Sequence, residues 1–95
     1  MNVCELPPAG EAREVVCSGR LICIANSNGT ISAMDNVCPH RGGPLGQGIV
    51  EDGKLICPWH AWAFDTNTGV AVHSPNAKVE VYEVKVEGDD VLVKL

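Results

Sequence analysis

Two stretches of this 95-residue chain each set one cysteine and one histidine within three residues of each other. The first reads Cys38-Pro39-His40, and after sixteen intervening residues the second reads Cys57-Pro58-Trp59-His60. In extended or turn backbone, side chains two or three residues apart can converge on one inorganic centre. A hairpin of the intervening length can bring the two stretches face to face. In both stretches a proline follows the cysteine and steers it toward extended geometry. The first stretch falls within residues 37–48, which also hold Gly42, Gly43, Pro44, Gly46 and Gly48. So many breakers exclude a strand or a helix there. Both stretches are therefore expected on loops, and the fold has to present two loops to a common point.

The rest of the chain supplies short strands. Residues 15–17, 21–25, 30–34, 49–50, 54–57, 79–86 and 91–95 are rich in β-branched and apolar side chains. Turn chemistry separates them, at Ser18-Gly19, Asn26-Ser27-Asn28-Gly29, Glu51-Asp52-Gly53, Asn67-Thr68-Gly69 and Gly88-Asp89-Asp90. No window carries the periodicity of an amphipathic helix at useful length. Hydrophobic residues make up 45% of the chain but aromatic ones only 4%, so Val, Ile, Leu, Ala and Cys must fill the interior. That composition suits β-branched packing. The expected class is all-β and antiparallel, with residues 1–95 as one domain. From Val79 the apolar positions alternate, then change phase near Tyr82, which predicts a bulge or a change of sheet.

Charge and cysteine content narrow the function. Seven Lys and Arg against twelve Asp and Glu give a net charge of -5, with no basic cluster. Nucleic acid and anionic membranes are poor partners for such a chain. Its apolar runs fall far short of the roughly 18 to 20 residues that span a bilayer. The start, Met1-Asn2-Val3-Cys4, lacks the basic and apolar stretches of a signal peptide, so a cytoplasmic location is expected. Five cysteines, an odd number, suggest reduced thiols or metal ligands rather than a disulfide framework. Cys17 and Cys23 sit in apolar strands and read as small core residues. Cys4 is placed near a mobile terminus, and His73 reads as a surface or turn histidine. Trp59 and Trp62 flank His60 and are expected to shield the site from water.

The two stretches, with their surroundings Cys38-Pro39-His40-Arg41-Gly42-Gly43-Pro44-Leu45 and Cys57-Pro58-Trp59-His60, resemble the Rieske family. That family's signature is C-x-H followed at a similar distance by C-x-x-H. The resemblance runs from about Leu21 to the C-terminus and includes Pro75 in a third loop. It implies a Rieske-type antiparallel β-sandwich or barrel, with a two-loop cluster-binding subdomain at about residues 36–66. The cofactor it implies is one [2Fe-2S] cluster, with Cys38 and Cys57 on the inner iron and His40 and His60 on the outer. Two imidazoles in place of two thiolates make the centre less negative and place its potential at roughly -150 to +300 mV. The glycines of residues 42–48 would leave backbone N–H groups free to donate to the cluster sulfurs.

Within the family, the high-potential respiratory branch braces its loops with a disulfide at positions matching Gly43 and Trp59. It also sets a serine and a tyrosine hydroxyl against the cluster, at positions matching Trp62 and Phe64. Without these the resemblance implies a potential toward the lower end of the range, as in soluble Rieske ferredoxins and the Rieske domains of aromatic-ring oxygenases. Ala61 departs from the glycine usual there.

The implied role is a soluble electron carrier, not itself an enzyme, loaded by a flavoprotein reductase and unloaded at an oxygenase or similar redox enzyme. A ring-hydroxylating oxygenase needs a second iron on two histidines and a carboxylate, and beyond the two ligands only His73 remains. The alternative inside the family is a small subunit or accessory domain of an assimilatory nitrite reductase. Outside it stands a structural zinc site, disfavoured because zinc knuckles more often pair cysteine with cysteine. Residues 37–50 and 55–64 hold one charge, Arg41, in 24 positions. That predicts a small apolar docking face suited to brief encounters, with the acidic turn at residues 87–90 away from it. An iron-bound imidazole keeps one titratable nitrogen, so the potential is expected to fall as pH rises.

Overall fold

The computed structural model describes residues 2–5, 7–17, 19–37, 43–59, 62–72, 77–88 and 90–94, with the backbone alone for residues 2–5 and 17. Its strands are β1 (Asn2–Glu5), β2 (Ala12–Cys17), β3 (Arg20–Ser27), β4 (Thr30–Asp35), β5 (Ile49–Glu51), β6 (Lys54–Ile56), β7 (Ala63–Asp65), β8 (Val81–Glu87) and β9 (Asp90–Lys94). One turn of 3-10 helix lies at Leu45–Gln47. Every pairing of these strands is antiparallel. Six strands form one sheet in the order β1-β9-β8-β4-β3-β2, and three form a second in the order β5-β6-β7. The all-β antiparallel class expected from the sequence is what the chain adopts.

β3 is the centre of the molecule because it is apolar on both faces. Side chains alternate across a strand, and here both alternating sets are buried. Ile22 and Ile24 pack with Ala33, Val91 and Val93 in one core. Cys23 and Ala25 turn to the other face, into a second core with Met34, Leu45, Leu55, Phe64 and Val79. Cross-strand pairs keep the sets apart: Ile24 faces Ala33, and Cys23 faces Met34.

The change of phase at Tyr82 follows from the same arrangement. Val81 pairs with Met34 and Tyr82 with Ala33 on β4. From Glu83 onward the registered partners lie on β9, beginning with Lys94. Val79 and Val81 accordingly pack on the core of Cys23, whereas Tyr82 and Val84 pack on the core of Ile22. The strand changes partner and core together.

Two strands are additional to the sequence reading. β1, in a terminus expected to be mobile, is paired along β9, with Cys4 opposite Val91. β7 lies in what reads as ligand loop, yet pairs Phe64 with Leu55. The small sheet is fastened to the large one by a bridge between Glu11 and Ile49 and by Val50 N donating to Gly10 O at 3.2 Å. The core of Cys23 lies between the sheets, and Cys57 belongs to it. Among the described residues no helix is long and apolar enough to cross a membrane.

Candidate metal centre

The bases of three loops lie beside the small sheet. The first leaves β4 through Asn36. It is closed by a bridge from Val37 to Pro44 and by Leu45 N donating to Asn36 O at 2.8 Å. The second joins β6 to β7 and is closed by Cys57 N donating to Trp62 O at 2.8 Å. The third, beyond β7, is closed by Ala71 N donating to Ala77 O at 2.9 Å. Val72 N donates to Ala63 O at 2.9 Å, which sets the base of the third loop beside the second. Cys38, His40, Arg41, Ala61 and His60, together with His73 and Pro75, lie outside the described residues.

Cys57 is therefore the one expected ligand whose surroundings are defined. Its side chain is 1% exposed and sits in the core that joins the sheets. Trp59 N donates to Cys57 Sγ at 3.4 Å. A donor aimed at sulfur supports negative charge on it. From the first loop, Gly43 presses against the same sulfur: a Cβ there would stand 2.9 Å from Cys57 Sγ and 3.0 Å from Trp59 Cγ. The first and second loops thus meet at Cys57. A buried soft donor with a backbone N–H directed at it fits a thiolate ligand to iron.

Further along the first loop, Gly46 and Gly48 serve another purpose than the sequence suggests. Gly46 N donates to Asn36 Oδ1 at 2.6 Å, Gln47 N to Pro44 O at 3.0 Å, and Gly48 N to Leu45 O at 3.0 Å. With Leu45 N also engaged, the N–H groups from Leu45 to Gly48 are spent inside the chain rather than offered to the cluster. Among the described residues, Trp59 N is a donor at the sulfur of Cys57, an expected ligand.

The two tryptophans divide the role expected of both. The Trp59 ring lies over Gly43 and is 49% exposed. Trp62 is half-buried against the core, its ring 6.4 Å from that of Phe64, and acts as a core anchor. Phe64 is fully buried in that core. Around the loops Val37, Ile49 and Val72 stay exposed, in keeping with an apolar end. Cys23 is fully buried, and burial, followed by the charge of Glu14, pushes its thiol up to about 12. It is the inert core cysteine that its strand predicts.

Sequence reasoning misses Glu14, Asn36 and Gln47. Asn36 is 2% exposed, and its Nδ2 donates to Glu14 Oε2 at 2.6 Å. Gln47 Nε2 donates to Glu14 Oε1 at 2.9 Å. Only the position of Asn36, a polar residue between β4 and a ligand loop, hints at this in the sequence.

Comparison with known proteins agrees with this geometry. The Rieske [2Fe-2S] domain model matches residues 1–91, further toward the N-terminus than the sequence resemblance from Leu21. The chain belongs to the Rieske [2Fe-2S] domain family, and its cofactor is one [2Fe-2S] cluster. It is 33% identical over 89 residues to the ferredoxin component of the naphthalene 1,2-dioxygenase system of Pseudomonas aeruginosa, covering 93% of this chain and 86% of that protein. It also matches apoptosis-inducing factor 3 of Homo sapiens, at 33% over 86 residues, and spans only 14% of that relative's length. Among solved structures, one described as a complex of reduced oxygenase and oxidized ferredoxin in carbazole 1,9a-dioxygenase contains a chain with a TM-score of 0.85. That chain is 26% identical, with 99% of this chain and 100% of that one covered. A putative NADH-dependent nitrite reductase small subunit from Mycobacterium tuberculosis also gives 0.85, at 25% identity, with 98% and 91% covered.

Proposed function

We propose that this chain is a cytoplasmic one-electron carrier, taking an electron from a flavoprotein reductase and delivering it to an oxygenase or similar redox enzyme. Residues 1–95 form one domain in this reading, with Cys38, His40, Cys57 and His60 as the cluster ligands. The observation that carries it is the seat of Cys57, where a buried thiol receives Trp59 N and meets the first loop at Gly43. When bound, the cluster accepts and returns single electrons.

The chain's own residues hold, tune and present that centre. The core of Phe64, Leu55 and Met34 excludes water from the inner side. Phe64 and Trp62, which carry no hydroxyl, keep the potential toward the lower end of the Rieske range. The exposed apolar residues Val37, Ile49, Trp59 and Val72 offer a small face for brief contact. The match along nearly the full length of a dioxygenase ferredoxin component supports a free-standing carrier.

The test is reduction of the purified protein by NADH through the flavoprotein reductase of a ring-hydroxylating system, followed by absorbance and electron paramagnetic resonance. Onward transfer should restore product formation by the oxygenase component. The similarity to a nitrite reductase small subunit favours one second reading, a tightly held subunit of such an enzyme. That reading predicts no transfer by the isolated protein and recovery of nitrite reduction when it is added to the large subunit.

A further inference from the structure

The first ligand loop is anchored to β2, a strand that supplies no ligand. Glu14 on β2 takes one amide on each carboxylate oxygen, from Asn36 Nδ2 at 2.6 Å and from Gln47 Nε2 at 2.9 Å. Asn36 Oδ1 in turn receives Gly46 N at 2.6 Å. These bonds join residues 22 and 33 positions apart in sequence to Glu14. The fit is close, because a Cβ on Gly46 would collide with Glu14 Cγ and would stand 2.7 Å from Asn36 Oδ1.

Each partner's orientation is fixed by chemistry. Gly46 N can only donate, so the Asn36 atom facing it is the oxygen, and the amide nitrogen faces Glu14. Asn36 is buried, so removing the carboxylate would take from its amide nitrogen the acceptor it now faces. From Gly46 the chain runs back through Leu45 and Pro44 to Gly43, the residue pressed on Cys57 Sγ.

We infer that Glu14 is a positioning residue for the cluster, acting through Asn36 and Gly46 to set the depth at which the first loop meets Cys57. This rests on the ligand reading proposed above. The effect is one of hydrogen-bond geometry rather than of charge. Glutamine at position 14 can accept from Asn36 through Oε1. Gln47 is exposed and can turn its amide so that its Oε1 accepts from the new Nε2.

The experiment compares holoprotein variants by the rate of cluster release to an iron chelator and by the line widths of the reduced-cluster resonance spectrum. Glu14→Ala should release the cluster roughly tenfold faster, from the lost acceptor, with broadened lines, while Glu14→Gln should match wild type in both. If Glu14→Ala fails to fold, Asn36→Asp carries the same test, since it sets two carboxylates against each other. The double variant Glu14→Gln/Asn36→Asp restores donor to acceptor and should recover the wild-type spectrum. Equal behaviour of Glu14→Ala and Glu14→Gln, or failure of the double variant to recover, overturns the inference. So does a wild-type spectrum in Glu14→Ala or Asn36→Asp. Wild-type protein that carries no reducible cluster overturns the ligand reading as well, which separates the two failures.

Discussion

Gly43 and Trp59 are in contact across the first and second loops, so closely that a methyl group on Gly43 would stand 3.0 Å from Trp59 Cγ. By the sequence resemblance these positions match the brace disulfide of the family's high-potential branch, which this chain lacks. Here an aromatic ring laid on bare backbone joins the loops instead. Such a joint depends on the absence of a side chain at one partner, and Cys57 Sγ shares the same limited space.

Gly43→Ala should therefore be costly. Its Cβ would fall 2.9 Å from Cys57 Sγ, and overpacking of this kind costs about 1–3 kcal/mol. Expected results are a lower melting temperature and iron and sulfide content below one cluster per chain. Adding Trp59→Ala should recover part of the stability, since it clears the ring but not the sulfur. Full cluster content with an unchanged melting temperature in Gly43→Ala would refute the close approach.

Cys57→Ser separates cluster from fold. The side chain is buried among Met34, Leu55, Phe64 and Val79, and a hydroxyl in place of the sulfur there puts a more polar group into an apolar core. The sheets rest on two cores, one of which does not include residue 57. Visible absorbance should vanish while the far-ultraviolet circular dichroism of the strands persists. An unchanged visible spectrum would remove Cys57 from the ligand set.

What could be read from the sequence depended on whether a pattern was local. The apolar run of β3 and the change of phase at Tyr82 are local, and both correspond to real packing, on two cores rather than one. β7 was hidden because Ala63–Asp65 is too short to alternate visibly and is defined by pairing with β6. The glycines of the first loop were legible as a need for close approach, but not as to what approaches. For Gly46 it is Glu14 and Asn36, distant in sequence and joined only by folding. At the site, the proposed ligand types and their spacing stand in the sequence, whereas Trp59 N on Cys57 Sγ depends on the turn between them.

Burial makes Cys23 unreactive. Its thiol is pushed up from 9.0 to about 12, first by burial and then by the charge of Glu14. At pH 8 an alkylating reagent should leave it unmodified in the native protein and modify it once denaturant unfolds the chain. Mass spectrometry of peptides after timed labelling checks this. Native-state labelling as fast as that of a free thiol would contradict the packing.

Tyr82 should give stability an alkaline edge. Its hydroxyl donates to Asp35 Oδ1 at 2.6 Å and accepts from Arg20 at 3.3 Å. Burial, followed by the hydrogen bond and charge of Asp35, raises its pKa above the usual value, with Arg20 opposing. The folded state thus keeps the phenol proton longer than the unfolded state. The contribution is fully present below the unfolded pKa of about 10 and is lost as pH rises through the higher folded value. Tyr82→Phe removes the titration along with the hydrogen bonds. Near neutral pH it should cost about 0.5–1.5 kcal/mol, the net worth of one typical intramolecular hydrogen bond. Denaturant unfolding of both proteins from pH 8 to about pH 11 should show the difference between them shrinking as the phenol ionises. A difference that stays constant across that range would mean the phenol of Tyr82 is no harder to ionise in the folded chain than in the unfolded one.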